Sequence, residues 1–195
     1  LHIQWNPANE EIEVVNYSAG SHHGLKAKVE LYQMDGTLAW EKEAIVDSDE
    51  DTTMKPIRME YPEGISKVHF LKLTLREGEH LVSDNFYHRT LEENNYQELK
   101  KLPKVSLKVR FDSEKNDQGE WTATATVKNP SKTPALLIRL NLIGKKDGLQ
   151  ILPVIYGDNY FSLLPGEEKE VHIRWKDVDT RGNQPKLLIG GYNVR

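Results

Sequence analysis

Alternation of apolar and charged residues with a period of two is the dominant pattern of this chain. Between residues 25 and 31, four apolar side chains alternate with charged ones. Successive side chains of a β-strand point to opposite faces, so this segment predicts a strand with one buried and one solvated face. The dipeptide Asp35-Gly36 then signals a hairpin, and residues 37–46, which include Trp40, should form the returning strand.

Similar segments recur along the rest of the chain. Further strands are predicted at residues 11–17, 52–61, 67–76, 80–87, 105–111, 121–127, 136–142, 150–156, 171–175 and 187–194. Residues 89–103 break the pattern because they are rich in helix formers and end at Pro103. The sequence therefore predicts an all-β chain of two tandem immunoglobulin-like antiparallel β-sandwiches, at 1–88 and 104–195, joined by a partly helical connector at 89–103.

A repeated motif also suggests two units of similar plan. Residues 156–167 read Tyr-Gly-Asp-Asn-Tyr-Phe-Ser-Leu-Leu-Pro-Gly-Glu, and residues 83–87, Ser-Asp-Asn-Phe-Tyr, are a fainter copy. In the longer copy, Asp158 and Asn159 should bond to nearby backbone and fix a turn. The two leucines that follow should enter the core, and Pro165-Gly166 should set the next turn. The motif is thus expected to mark architecture rather than a catalytic site.

Charge and composition exclude several classes of protein. The first 90 residues carry nine basic and sixteen acidic side chains, and the remainder carries seventeen and fourteen. Neither part has the basic excess that nucleic-acid binding requires, so no nucleic acid is expected as a partner. No apolar run approaches the roughly 20 residues that span a bilayer, so no membrane partner is expected. Because the chain contains no cysteine, it has neither disulfides nor thiolate metal sites.

No catalytic, cofactor-binding or metal-ligating residue is predicted. Asn9-Glu10 matches a dipeptide found at the acid/base residue of some glycosidases, but it lies in a polar turn, and nothing marks the second carboxyl group that such chemistry needs. The acidic run at 47–51 begins like a calcium loop. It then has Thr52 where the tight-turn glycine belongs and Arg58 where a bidentate glutamate should be, so a solvated loop is expected.

Two other local patterns favour ordinary surface roles. His22 and His23 are adjacent and would point to opposite faces of a strand, which disfavours shared metal ligation. Asn16-Tyr17-Ser18 fits a glycosylation sequon, a frequent chance match.

The aromatic residues divide into two groups. Trp121 and Trp175 occupy inward positions of alternating strands, which predicts that they anchor a core. Trp5, Tyr17 and Trp40 are the candidate glycan contacts, because exposed aromatic rings can stack on sugars.

Three stretches of the sequence resemble the C-terminal β-sandwich domains of glycoside hydrolase family 2, in the branch of β-mannosidases, exo-β-glucosaminidases and mannosylglycoprotein endo-β-mannosidases. They are residues 1–17 with 24–37, residues 83–103, and residues 127–167. The last is the most specific, because its Asn-Pro-Ser turn, its Leu-Pro pair and the long motif occur in the order typical of the terminal domain. One departure is His88, where such proteins often have tryptophan.

The resemblance implies an upstream catalytic (β/α)8 barrel that holds both catalytic glutamates, with no catalytic residue and no cofactor in this chain. It implies a parent enzyme that hydrolyses β-mannosides or β-glucosaminides with retention, in the periplasm or outside the cell. The chain, which begins abruptly in a strand, would then be a piece of that enzyme and would brace the barrel, with the barrel and upstream sandwich domains as partners. Two alternatives stay open: a carbohydrate-binding module that contacts glycan, and an adhesion-type tandem Ig-like ectodomain.

Overall fold

A computed structural model describes residues 1–195 of the protein. The chain forms two compact units, Leu1–Lys101 and Leu102–Arg195, called unit 1 and unit 2 below. All strand pairing within the two units is antiparallel, and one isolated parallel bridge joins Val105 and Val194. The prediction of an all-β chain is therefore confirmed. None of its helical segments has the length and apolar character needed to cross a membrane.

Unit 1 contains seven strands in two sheets, ordered β1-β2-β5 and β4-β3-β6-β7. The strands are β1 (His2–Asn6), β2 (Glu11–Asn16), β3 (His22–Gln33), β4 (Leu38–Ser48), β5 (Thr52–Arg58), β6 (Val68–Glu77) and β7 (His80–Thr90). Both sheets contribute to one core, and the four apolar residues that alternate along β3 are fully buried in it. The alternation between residues 25 and 31 thus predicted both the strand and its buried face.

The predicted hairpin between β3 and β4 is also confirmed. Gly36 has a φ of 91°, a conformation that glycine adopts without steric cost. Asp35 Oδ1 accepts hydrogen bonds from Thr37 N at 2.9 Å and from Thr37 Oγ1 at 2.7 Å. These bonds stabilise the carboxylate and lower the pKa of Asp35. The turn is therefore specified by two adjacent residues.

Unit 2 contains seven strands, in sheets ordered β11-β13-β9-β8 and β12-β10-β14. The strands are β8 (Lys108–Lys115), β9 (Glu120–Lys128), β10 (Ala135–Gly144), β11 (Val154–Tyr156), β12 (Phe161–Leu163), β13 (Glu168–Lys176) and β14 (Pro185–Gly190). Trp175 is buried in the core and stacks on the half-buried Trp121, with ring centroids 5.5 Å apart. Both residues serve the core as predicted.

The two units share one strand plan. In unit 1 the first, second and fifth strands form one sheet, while the fourth, third and sixth lie side by side in the other. Unit 2 repeats this arrangement with β8, β9 and β13, and with β12, β10 and β14. Each unit adds one strand, β7 beside β6 in unit 1 and β11 beside β13 in unit 2. In this comparison β10 is the counterpart of β3.

The predicted helical connector at 89–103 is wrong. Residues 89 and 90 still belong to β7, where Thr90 pairs with Val68 of β6. The chain then turns through Asn94, which has a φ of 55°, and only Gln97–Lys101 forms a short 3₁₀ helix. Strand pairing therefore overrides helix propensity at the start of this segment, and after the Asn94 turn only a short 3₁₀ helix forms before Pro103.

Candidate functional site

A fully buried asparagine lies at or just after the end of the second strand of each unit, and each is followed two residues later by a serine. In unit 2 this residue is Asn129. Its Nδ2 donates to the carbonyl oxygens of Thr133 at 2.8 Å, Leu163 at 3.0 Å and Leu164 at 3.3 Å. Its Oδ1 accepts from Ser131 N at 3.1 Å and from Ser131 Oγ at 2.7 Å. One side chain thus joins three stretches of backbone.

Asn16 repeats this arrangement in unit 1. Its Nδ2 donates to the carbonyl oxygens of Gly20 at 3.0 Å, Ser48 at 3.4 Å and Asp49 at 3.1 Å. Its Oδ1 accepts from Ser18 N at 3.0 Å and from Ser18 Oγ at 2.6 Å. In both units the acceptors are the carbonyl four residues ahead and two consecutive carbonyls of a distant segment. The Asn16 amide is therefore engaged in the fold, and the sequon is not an accessible glycan site.

The shorter copy of the echoed motif joins the two sheets of unit 1. Ser83, Asn85 and Tyr87 recur at every second position along β7. Ser83 Oγ accepts from Ile3 N at 3.3 Å, Asn85 Nδ2 donates to Ile3 O at 2.5 Å, and Tyr87 Oη accepts from Trp5 N at 3.3 Å. These side chains satisfy backbone groups on the free edge of β1, where no strand pairs with it.

The longer copy of the repeated motif, at residues 156–167, forms hydrogen bonds with β10 instead. Asn159 Oδ1 accepts from Leu140 N at 2.8 Å, and its Nδ2 donates to Leu140 O at 3.0 Å. The following residues, 161–163, form the short strand β12, where the sequence predicted no strand. Leu163 and Leu164 are buried, as predicted. The motif therefore extends the sheet beside β10 and also re-enters the core.

Trp5 lies at the centre of a polar and aromatic cluster in unit 1. Its Nε1 donates to Glu10 Oε2 at 3.0 Å, and Tyr61 Oη donates to the same oxygen at 3.1 Å. The Arg89 guanidinium lies 3.9 Å from the centroid of the Trp5 ring, and the Tyr87 ring meets it edge-on. Glu10, from the dipeptide that resembles a glycosidase acid/base, is thus held by two donors and fixes the β1–β2 turn to the segment after β5.

Burial dominates the electrostatics around this cluster. Burial, followed by the nearby Glu10 carboxylate, raises the pKa of Tyr61 to about 12. His69 packs edge-on against Tyr61 and is almost fully buried, and burial lowers its pKa. Burial also lowers the pKa of His88, whose ring packs against Phe70 and Phe86. His88 therefore occupies an aromatic environment.

The three candidate glycan contacts have different environments. Trp5 is only 7% exposed, and Trp40 is half-buried against the core of unit 1. Tyr17 is 73% exposed at the turn that Asn16 holds. Of the three rings, only that of Tyr17 is largely free to meet a ligand.

Acidic side chains of the run at 47–51 accept hydrogen bonds from backbone N–H groups of unit 1. Asp47 Oδ1 accepts from Gly24 N at 2.7 Å, and Glu50 Oε2 accepts from Gly20 N at 3.0 Å. His22 and His23 bind different carboxylates, those of Glu77 at 3.1 Å and Asp47 at 3.7 Å. No group of three or more metal-ligating side chains is arranged to hold an ion. These acidic side chains instead accept hydrogen bonds from the backbone before β3, at Gly20, and near its start, at Gly24.

A shallow depression lined mostly by polar residues lies on the outer face of β8, β9 and β13 in unit 2. Its side chains form cross-strand rows in which Thr122 Oγ1 donates to Glu114 Oε1 at 3.4 Å and Thr124 Oγ1 lies 3.4 Å from His172 Nδ1. Such a surface can bind a polar ligand through hydrogen bonds. None of the predicted aromatic residues lines it.

A family model described as the exo-beta-D-glucosaminidase Ig-fold domain matches residues 85–194. Among known proteins, the chain is 28% identical to an exo-beta-D-glucosaminidase of Hypocrea jecorina and 25% identical to one of Streptomyces avermitilis. It is 23% identical to a mannosylglycoprotein endo-beta-mannosidase of Lilium longiflorum. Each match covers 99% or 100% of this chain but only 24% to 26% of the relative. The chain thus spans about a quarter of the length of these relatives.

A solved structure also matches the whole of this chain with about a quarter of its own length. The exo-chitosanase CsxA of Amycolatopsis orientalis superposes with a TM-score of 0.92 at 24% identity, covering 100% of this chain and 26% of the solved chain. At this identity the likeness establishes the fold.

Proposed function

The chain belongs to the exo-beta-D-glucosaminidase Ig-fold domain family of glycoside hydrolase family 2, and we propose that it is the non-catalytic accessory part of a larger retaining glycosidase. One observation carries this proposal: the whole chain matches about a quarter of each of several larger glycosidases. In such a protein, catalysis takes place in a separate (β/α)8 barrel, and these two units, proposed to be Ig-like sandwiches, brace it.

The roles of the polar side chains support an accessory function. Glu10, the residue in the dipeptide that resembles an acid/base, is bound by Trp5 and Tyr61. The buried amides of Asn16 and Asn129 bind backbone. The most conspicuous polar groups therefore hold strands and turns together, as expected of a rigid scaffold.

The relatives favour β-linked glucosaminides over β-mannosides as the parent's substrate. The Hypocrea and Streptomyces relatives are exo-beta-D-glucosaminidases, and the endo-beta-mannosidase match is weaker. The parent is accordingly proposed to release glucosamine from the ends of β-linked glucosamine chains.

Truncation of the parent enzyme tests the proposal. The intact parent should hydrolyse an aryl β-D-glucosaminide, while the isolated 195-residue chain should show no turnover. A parent that ends before Leu1 should melt at a lower temperature or lose solubility, because the barrel loses its brace. Enzyme-like turnover by the isolated chain, or unchanged melting and activity after truncation, would overturn the accessory role.

Glycan binding is the second candidate function, because Tyr17 is largely exposed. The isolated chain would then be retained on a chitosan gel, and Tyr17→Ala would abolish that retention. Retention with native Tyr17 but not with Tyr17→Ala would assign a carbohydrate-binding module. Equal elution of both proteins would exclude Tyr17 as the contact.

A further inference from the structure

Unit 2 exposes an apolar surface along the outer side of its smaller sheet, called the β10 face here. It consists of Leu137 and Arg139 on β10, Leu188 on β14, Tyr160 beside β12, and Tyr192 just after β14. The four uncharged members are large hydrophobic side chains between 38% and 59% exposed. Scattered hydrophobic residues are normal on protein surfaces, whereas a contiguous group of them often marks a contact surface.

Strand register brings these residues together. Arg139 pairs with Gly190 and Asn141 pairs with Leu188 across β10 and β14. Tyr192 N donates to Leu136 O, which places Tyr192 beside the start of the β10 face. Tyr160 directly precedes Phe161, the partner of Ile138. The five members therefore occupy adjacent positions on three neighbouring stretches of chain.

Two members of the β10 face have unusual backbone conformations. Leu137 has a φ of 51° within a register irregularity of β10, and Tyr160 has a φ of 61°. Bulky L-residues rarely adopt positive φ, and such conformations concentrate at functional contacts. Here both residues combine that conformation with an exposed hydrophobic side chain.

The counterpart strand in unit 1 provides an internal comparison. The outer side of β3 carries Lys26 and Lys28 where β10 carries apolar side chains and Arg139. Lys26 binds Glu43 at 2.7 Å, and Lys28 binds Glu41 at 2.8 Å and Glu30 at 2.9 Å. Both lysines are therefore neutralised by carboxylates of the same surface. Arg139, by contrast, is exposed and forms no ion pair or hydrogen bond.

We propose that the β10 face docks against another domain of the same parent polypeptide, one that presents apolar side chains around a carboxylate for Arg139. This inference rests on the proposed accessory function, since about three quarters of the matched relatives' length lies outside the region that this chain covers. Contacts between domains of one chain commonly combine apolar area with charged groups. An unpaired guanidinium among apolar side chains suits a carboxylate partner, because a desolvated pair of this kind is strongly directional.

Thiol accessibility tests the proposal directly, because the chain contains no cysteine. Leu188→Cys places a thiol on the β10 face, and Lys26→Cys places a control thiol on the corresponding face of unit 1. Maleimide alkylation is followed by mass spectrometry in the isolated chain and in the full-length parent. We expect the thiol at 188 to react at least about tenfold more slowly in the parent. A thiol covered by a docked domain can be alkylated only while that interface is transiently open. The control thiol should react equally in both.

The charge at Arg139 supplies a second comparison. In the parent, Arg139→Glu should restore rapid alkylation at position 188, while Arg139→Lys should preserve most of the protection. If either cysteine variant misfolds, carbene footprinting of Tyr160 and Tyr192 in the unsubstituted proteins gives the same comparison.

Equal accessibility of the β10 face in the isolated chain and in the parent would overturn the proposal. Protection that already exists in the isolated chain and disappears on dilution would assign the face to a second copy, which also overturns it. The readout uses no substrate. A parent that protects position 188 but fails to hydrolyse glucosaminides would therefore contradict the proposed function and leave the docking surface intact.

Discussion

Asn129→Ala should destabilise unit 2 by about 3 kcal/mol. The substitution removes two amide hydrogens that are shared among three carbonyl oxygens, and an oxygen that accepts two bonds from Ser131. A net hydrogen bond contributes about 1 kcal/mol, and a buried group left unpaired costs roughly 1 to 3 kcal/mol. Leu164 O keeps a second donor, Glu167 N at 3.1 Å. Two lost donor bonds and about one stripped carbonyl therefore give the figure of about 3 kcal/mol.

Urea unfolding of the 195-residue chain measures this effect. Circular dichroism follows both units, and the fluorescence of Trp121 and Trp175 contributes the signal of unit 2. Ser131→Ala is the matched control, because it removes only the hydroxyl bonds and should cost about 1 kcal/mol. Asn16→Ala should act in the same way as Asn129→Ala, but on the transition of unit 1. Asn129→Asp keeps the shape but directs a carboxylate at carbonyl oxygens, so it should cost at least as much as alanine at neutral pH.

Asn129 should contribute more to the stability of unit 2 than its serine partner. If Asn129→Ala lowered the free energy of unfolding by less than about 1 kcal/mol with an unchanged m-value, the buried amide would not be the main tie between these segments. Equal effects of Asn129→Ala and Ser131→Ala would refute it as well, since the carbonyl contacts would then contribute nothing.

The remaining predictions concern pH. Because burial lowers the folded-state pKa of His69 and His88, the unfolded chain binds protons first as pH falls below about 6.5. The free energy of unfolding should therefore decrease from that pH down to the folded-state pKa, and His88→Phe should reduce this decrease in urea titrations at pH 7 and pH 5; an unchanged slope would contradict it. Hydrogen bonds from Trp121 Nε1 and Lys115 lower the pKa of Asp177, so its stabilising effect is present above its unfolded pKa and is lost as pH falls through the folded value. Trp121→Phe should raise the Asp177 pKa in an NMR titration, whereas an unmoved pKa would show that the indole bond is unimportant.

Local sequence patterns predicted most of the strands because strand identity here depends on adjacent residues. The alternation along β3 determines which face is buried. The following turn is determined by the Asp35 side chain, which accepts a bond from Thr37 N, and by the positive φ of Gly36. Local pattern also predicted the burial of Trp175, because apolar and polar residues alternate along β13. These features needed no knowledge of distant contacts.

The errors arose where distant contacts decide the structure. Residues 161–163 form β12 only because Phe161 pairs with Ile138, far away in the sequence. Residues 89 and 90 extend β7 because β6 lies beside them, despite the helix formers that follow. The repeated Asn-x-Ser was visible at residues 16 and 129, but two of the three carbonyl acceptors of each asparagine lie more than 30 residues ahead. A pattern search could have found the repeat, although its role required the fold.

The two units agree in the hydrogen bonds that hold each unit together and differ in the side chains on their outer surfaces. Asn16 and Asn129 bond in the same way because each is a fully buried amide that must find its partners within its own unit, whatever lies outside. The outer sides of β3 and β10 face no such internal requirement, so their composition reflects what surrounds each unit. Lysine–glutamate ion pairs cover the outer side of β3, whereas β10 leaves hydrophobic side chains and an unpaired arginine exposed. On the docking proposal, this difference between two copies of one plan arises because the outer sheet of unit 2 packs against another domain of the parent.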